Sequence, residues 1–264
     1  VFNTNDSIKI IVGGEAYISL GLCAYSGSSA NITLAGADKT AISSISAKAS
    51  SDGKIGSFHY TGEAGTLYIT FDGTTYLHSL AINNIADGTV SEGSNGYYNV
   101  KAGDANAFLK TLAVANANSS SEKRTCIYLP DGTYDLGKTV LTPVSGDNIS
   151  IIGQSMDKTI IKNAPAIANE GIGTTATLYN TSTGLYLQDL TLQNALDYYA
   201  TGAAGRAVCL QDKGTQTICK NVKMLSYQDT YYSNNDKGQY YWETSDIHGC
   251  VDYICGGGDA FFNK

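Results

Sequence analysis

The chain has 264 residues, of which 42% are apolar and 16% are charged, so it can bury a sizeable core and intrinsic disorder is excluded. Its 17 basic and 24 acidic residues give a formal charge of −7, which argues against nucleic acid as a partner because phosphate binding needs concentrated positive charge. No apolar run approaches the roughly 18 residues of a membrane-spanning helix, and 29 Gly and 19 Tyr against 3 Pro favour short strands joined by turns.

The N-terminal third shows the alternation of apolar and polar residues that is typical of half-buried strands. Turn-forming residues separate these runs, which lie at 8–12, 16–25, 31–34, 66–71 and 76–82. Short strands at this spacing predict an antiparallel β-sandwich over residues 1–86. Asn, Asp, Gly, Ser and Glu dominate the next stretch, so we expect a linker at 87–96.

One helix is predicted directly after the linker. Asp104 can cap it, because a short polar side chain satisfies the free amides of a first helical turn. Apolar positions such as Phe108 and Leu112 then follow the spacing of a single buried face. Short strands come next, so this helix is expected to cover one end of a strand-rich domain.

The remaining strands repeat a theme. Asp189, Asn221 and Asp246 each occupy the second position of a similar four-residue segment. Repeats of about 20 to 50 residues with variable loops are typical of solenoids built from stacked coils. We therefore expect an all-β chain in which residues 97–264 form a right-handed parallel β-helix with an N-terminal capping helix.

Three motifs follow one another in the C-terminal part of the chain. They read GRAVCL at 205–210, YQDTYY at 227–232 and GCVDYICG at 249–256. In order and spacing they resemble the QAVAL, YQDT and VDFIFG motifs of the pectin methylesterase family. The resemblance covers about residues 97–264 and implies a β-helical enzyme that hydrolyses methyl esters of pectin and releases methanol, with no metal or other cofactor.

The resemblance also implies the catalytic residues. Asp252 would attack the ester carbonyl, Asp229 would act as general acid and then general base, and Gln228 would donate hydrogen bonds to the oxyanion. The spacing agrees with these roles, because 23 residues separate the two aspartates, about one coil, which can bring both carboxylates to the same outer face. Paired carboxylates do not both ionise easily, so one of them keeps a proton.

Three further residues are expected to bind substrate. Arg206 stands where the family has a Gln, and its guanidinium either stabilises the oxyanion or binds a free carboxylate of the polymer. Tyr232 and Trp242 are candidates to stack on sugar rings, although aromatic side chains also fill the interior of β-helices.

The family's later LGRPW motif has no counterpart in the chain, which stops 12 residues after Asp252. We therefore expect a fragment of a longer protein with weakened activity. A non-catalytic, pectin- or carbohydrate-binding β-helix and an inactive fragment are the alternatives, and the Gln228-Asp229 pair argues against a pectate lyase. The expected partner is pectin, without nucleic acid or a membrane span, and the expected location is extracellular or periplasmic, as for a bacterial secreted or cell-surface protein.

Overall fold

The computed structural model describes residues 1–25, 29–48, 54–84, 90, 92–201 and 204–264. The chain divides into two compact units, Val1–Val90 and Ser91–Lys264. Within the predicted linker, residues 87–89 and 91 lie outside the described residues. In the part of the chain that is described, no helix combines the length and the apolar character needed to cross a membrane.

Antiparallel strands build the described part of the first unit. Their bounds are β1 Ser7–Val12, β2 Ala16–Ala24, β3 Ser29–Ala35, β4 Ala41–Lys48, β5 Lys54–Tyr60, β6 Gly65–Phe71 and β7 Thr75–Asn84. They form two sheets, in the orders β1-β6-β3-β4 and β5-β2-β7. Both sheets contribute to one apolar core that includes Ile18, Ile32 and Ile69. The predicted β-sandwich is therefore confirmed, although β4 and β5 were not expected from their weak apolar alternation.

Parallel strands build the second unit, which confirms the predicted β-helix. Its strands form a ten-stranded and a five-stranded sheet that wrap around one continuous apolar core. The first elements are β8 Tyr97–Asn99, α1 Ala105–Asn118, β9 Thr125–Leu129, β10 Gly132–Asp135, β11 Thr142–Val144, β12 Ile149–Gly153, β13 Thr159–Asn163 and β14 Leu178–Asn180. The later ones are β15 Tyr186–Asn194, β16 Leu210–Asp212, β17 Thr217–Leu225, β18 Tyr231–Ser233, β19 Gln239–Glu243, β20 Asp246–His248, β21 Ile254–Gly256 and β22 Asp259–Asn263, with 3₁₀ turns at Ile167–Asn169 and Tyr198–Ala200.

Helix α1 forms where the sequence predicts it. The Asp104 carboxylate accepts a hydrogen bond from the amide of Ala107 at 2.9 Å, which satisfies one of the free donors of the first turn. Phe108 and Leu112 are buried, and the helix packs against β9 and β10. The capping helix is therefore confirmed, and it covers the apolar interior of the first coils.

A ladder of residues with left-handed backbone bends the coils. Asp189 and Asn221 both have φ 53° and Thr244 has φ 50°, and the Asn221 side-chain amide donates to Asp189 Oδ1 at 2.6 Å. Asp and Asn tolerate this conformation better than most residues. The predicted equivalence of Asp246 with Asn221 is wrong, because Asp246 pairs with Lys223, two residues further along the coil.

Candidate functional site

Three consecutive coils bring the sequence motifs together at one corner of the β-helix. Parallel bridges pair Arg206 with Gln228 and Gln228 with Val251. The residues that follow, Asp229 and Asp252, therefore occupy the same position in neighbouring coils, and the Asp229 amide donates to the Val251 carbonyl at 3.1 Å. Both aspartates have left-handed backbone, with φ 57° and 45°. The two carboxylates thus project from equivalent corners, one coil apart.

The two aspartates differ in their surroundings. Asp229 is only 4% exposed, whereas Asp252 lies in the last coil of this sequence, where most side chains are exposed. Burial and, after it, the negative charge of Asp252 raise the pKa of Asp229, while the positive charge of Arg206 opposes this shift. Asp229 is therefore the member of the pair that is disposed to hold a proton.

Arg206 reaches this corner already paired with a carboxylate. Its Nε lies 2.9 Å from Glu170 Oε1, and its backbone amide donates to the same oxygen at 3.2 Å. Glu170 thus fixes the start of the Arg206 side chain and offsets part of its charge. The sequence gives no signal for Glu170, which lies 36 residues upstream in a loop that follows a 3₁₀ turn.

Tyr232 and Cys255 lie side by side next to the aspartates. Strands β18 and β21 pair them in register, and the Cys255 thiol donates a weak hydrogen bond to Asp229 Oδ1 at 3.9 Å. Burial and the two aspartates raise the pKa of Cys255 to about 12, so it remains a thiol. Sequence reasoning missed Cys255, although it occupies the place of the second Phe in the family's VDFIFG motif.

Trp242 lies inside the coil, and its prediction as a substrate-binding residue is corrected. It is 2% exposed and packs edge-on against Tyr231, with ring centroids 4.7 Å apart. In β19 the buried positions are Tyr240 and Trp242, whereas Gln239 and Tyr241 face outward. Strand alternation shows that these two sets face opposite sides, but the sequence alone does not show which side is the interior.

The comparisons with known proteins all find pectinesterases. The pectinesterase family model matches residues 99–264. The chain is 32% identical over 188 residues to "Probable pectinesterase/pectinesterase inhibitor 19" of Arabidopsis thaliana, covering 71% of this chain and 33% of the relative. It is also 27% identical over 157 residues to pectinesterase A of Emericella nidulans, covering 56% of this chain and 45% of the relative.

The solved structures that resemble this chain are pectin methylesterases as well. A pectin methylesterase from Erwinia chrysanthemi has a TM-score of 0.51 at 26% identity, over 59% of this chain and 49% of that chain. A pectin methylesterase in complex with a hexasaccharide has the same values. These neighbours are right-handed parallel β-helices. The chain thus spans a third of the plant relative and about half of each solved structure.

Proposed function

Because the chain belongs to the pectinesterase family, we propose that residues 97–264 hydrolyse methyl esters of pectin and release methanol. The observation that carries this proposal is the buried Asp229 stacked one coil from Asp252, whose negative charge helps to raise the pKa of Asp229. When one carboxyl group of such a pair keeps a proton and the other stays charged, the pair can supply an acid and a nucleophile at the same time.

In the proposed reaction, a carboxylate oxygen of Asp252 attacks the carbonyl carbon of the methyl ester. The tetrahedral intermediate collapses as Asp229 gives its proton to the departing methoxide, which leaves as methanol. A mixed anhydride then joins Asp252 to the galacturonyl carboxyl group. The Asp229 carboxylate takes a proton from water, and this water hydrolyses the anhydride to regenerate both side chains.

Neighbouring side chains would support these steps. Gln228 lies between Arg206 and Val251 in the stack, where its side-chain amide can donate to the oxyanion. Loss of a comparable donor costs about 100- to 1000-fold in kcat. Arg206 would bind either the oxyanion or a free carboxylate of an adjacent galacturonate, and Tyr232 would contact a sugar ring.

The partner in this proposal is the pectin polymer. Support comes from the solved pectin methylesterase that binds a hexasaccharide. Because a cell meets this polymer outside its cytoplasm, an extracellular or periplasmic location belongs to the same proposal. The sandwich at 1–86 would be an accessory domain joined by the linker at 87–96.

Methanol release and pectin binding, measured on the same samples, test the proposal. The full chain should release methanol from esterified pectin, and Asp252→Asn should lower the rate at least about 1000-fold while pectin binding is retained. Asp246→Asn, which changes an exposed aspartate on β20, is the matched control and should remain active.

Two outcomes would contradict the proposal. Full activity in Asp252→Asn would remove this residue as the nucleophile. Pectin binding without methanol release by the unaltered chain would favour a non-catalytic, carbohydrate-binding β-helix.

A further inference from the structure

Three tyrosines form a cluster, one of which directly precedes Gln228 in the chain, and we call Tyr198, Tyr199 and Tyr227 the tyrosine platform. Tyr198 stacks on Tyr227 with ring centroids 5.3 Å apart. Tyr199 meets both rings edge-on, at 5.5 and 5.8 Å. Tyr199 is nevertheless 81% exposed and Tyr227 is 39% exposed. The cluster therefore presents aromatic surface to solvent from rings that hold one another in place.

The backbone around the platform also fixes it. The Asp197 carboxylate accepts hydrogen bonds from the amides of Tyr199 and Ala200, both at 3.2 Å, and so caps the 3₁₀ turn that carries two of the rings. Gly205 packs against the Tyr198 ring so closely that a Cβ at this position would clash with it. The rings are thus positioned before any ligand arrives, which reduces the entropy lost on binding.

The platform is continuous with the proposed active site through the backbone. Tyr227 directly precedes Gln228, and its carbonyl accepts from the amides of Cys250 at 2.7 Å and Val251 at 3.2 Å. Gly205, which packs against Tyr198, directly precedes Arg206. A polymer that crosses the aspartates can therefore reach the platform with a neighbouring residue of the same chain.

The cavity at the platform has a composition suited to an uncharged sugar. Its volume is about 410 Å³, and its polar lining includes Gln193 and Ser226. Of the described residues that line it, Asp197 is the only charged one. The C–H groups on one face of a pyranose ring pack well against the electron-rich face of a tyrosine. An acidic side chain at the same place disfavours a free galacturonate, whose carboxylate is negative, relative to its methyl ester.

We propose that the tyrosine platform binds a methyl-esterified galacturonate residue of the polymer whose neighbouring ester reacts at Asp252. This inference rests on the proposed function for the identity of the polymer. It makes the chain selective for runs of esterified residues, because an isolated ester would place a free carboxylate beside Asp197.

Binding measurements on the full chain test the platform apart from catalysis. In an Asp252→Asn background, calorimetry would compare a fully methyl-esterified galacturonate hexamer with the free-acid hexamer. Tyr199→Ala should weaken binding of the esterified hexamer about 3- to 10-fold, and Tyr199→Phe should bind as tightly as the parent. Tyr76→Ala, at another exposed tyrosine that packs against a tyrosine, is the control in the N-terminal unit.

A second variant tests the role of the Asp197 charge in the preference for the ester. Asn caps a turn as Asp does, so Asp197→Asn should keep the platform in place, tighten binding of the free-acid hexamer and reduce the preference for the ester. Unchanged affinity in Tyr199→Ala, or an unchanged preference in Asp197→Asn, would overturn the inference. Methanol release by the unaltered chain is measured separately: normal release with no effect of Tyr199→Ala refutes only the platform, whereas weakened binding without any release refutes only the esterase.

Discussion

Asp212 is a buried carboxylate inside the β-helix, on the strand next to the one that carries Tyr232. It is fully buried, and its Oδ1 accepts hydrogen bonds from Asn180 at 2.8 Å and from the Gly214 amide at 3.0 Å. Its Oδ2 has no hydrogen-bond partner among the described residues. Burial raises the pKa of Asp212 from 3.8 to about 6 against the opposing hydrogen bonds. We predict that Asp212→Asn makes the stability of the β-helix less dependent on pH.

The direction in which stability changes with pH follows from whether the folded or the unfolded state loses the Asp212 proton first. Below the unfolded pKa, Asp212 is neutral in both states and carries no charge-burial penalty. As the pH rises from about 4 to 6, the unfolded chain ionises while the folded chain keeps the proton, so stability falls, and the full penalty applies above the folded pKa. At 1.36 kcal/mol for each pKa unit, the difference between 3.8 and about 6 corresponds to about 3 kcal/mol.

The chain has one tryptophan, Trp242, which lies in the core of the β-helix, so its fluorescence reports unfolding of this unit alone. Urea unfolding at a series of pH values gives the free energy of unfolding of the variant and of the parent. Their difference should increase in favour of Asp212→Asn by about 2 kcal/mol between about pH 4 and pH 7, because the unfolded chain is already partly ionised at pH 4.

A constant offset between the two proteins does not affect this test, because an Asn amide in place of Oδ2 costs about the same at every pH. The matched control is Asp246→Asn, which removes an exposed carboxylate from the same unit. A difference that stays flat across the range would mean that burial of the Asp212 carboxyl group does not cause the pH dependence of stability.

Three further predictions concern the site and the coil stack. The acid step needs protonated Asp229, so the alkaline limb of the kcat/KM profile for methanol release should follow the pKa of this residue. Arg206→Gln should move the limb to higher pH and Glu170→Gln should move it to lower pH, because Arg206 lowers and Glu170 raises this pKa. Asp229→Asn should speed alkylation of Cys255 by iodoacetamide at mildly alkaline pH, since the aspartate's charge raises the pKa of the thiol; peptide mass spectrometry measures this. In the same urea assay, Asn221→Ala should lower the free energy of unfolding by about 2 kcal/mol and Asn221→Gly should lower it by about 1 kcal/mol. Both variants lose the hydrogen bond to Asp189, but only Ala is strained at the positive φ of this position.

Each of these three predictions has an outcome that would contradict it. A shift of the limb in the same direction in Arg206→Gln and Glu170→Gln would mean that these two charges do not act through the pKa of the catalytic acid. The alkylation test needs a Cys250→Ser background, because Cys250 is an exposed thiol in the same motif, and an unchanged rate would place Cys255 away from Asp229. Equal effects of Ala and Gly would mean that the backbone at Asn221 is not strained.

The fold follows from local patterns to a large extent. Alternation predicted most strands of the sandwich, and the Asp104 cap with apolar residues at helical spacing predicted α1. The positions of Asp229 and Asp252 one coil apart could also be predicted, because motif spacing and coil length are both sequence properties. In contrast, β4 was not predicted, since most of its residues are exposed and show no apolar alternation.

The remaining features depend on three-dimensional packing. Thr244, and not Asp246, lies in the coil position equivalent to Asn221, because register depends on the hydrogen-bond ladder and not on which residue type is repeated. The interior position of Trp242 depends on which face of β19 closes onto the core. Glu170 reaches Arg206 from a loop that no periodic signal describes.

The proposed chemistry depends most directly on a protonated Asp229 beside Asp252, and titration of this carboxyl group tests that claim. NMR of protein labelled with ¹³C at the aspartate carboxyl carbon would follow Asp229, assigned with Asp229→Asn, in the full chain and in Asp252→Asn. We expect a pKa of Asp229 above 3.8 in the parent that decreases, but stays raised by burial, when Asp252 loses its charge. A pKa of Asp229 at its usual value, or one that does not respond to Asp252→Asn, would contradict it.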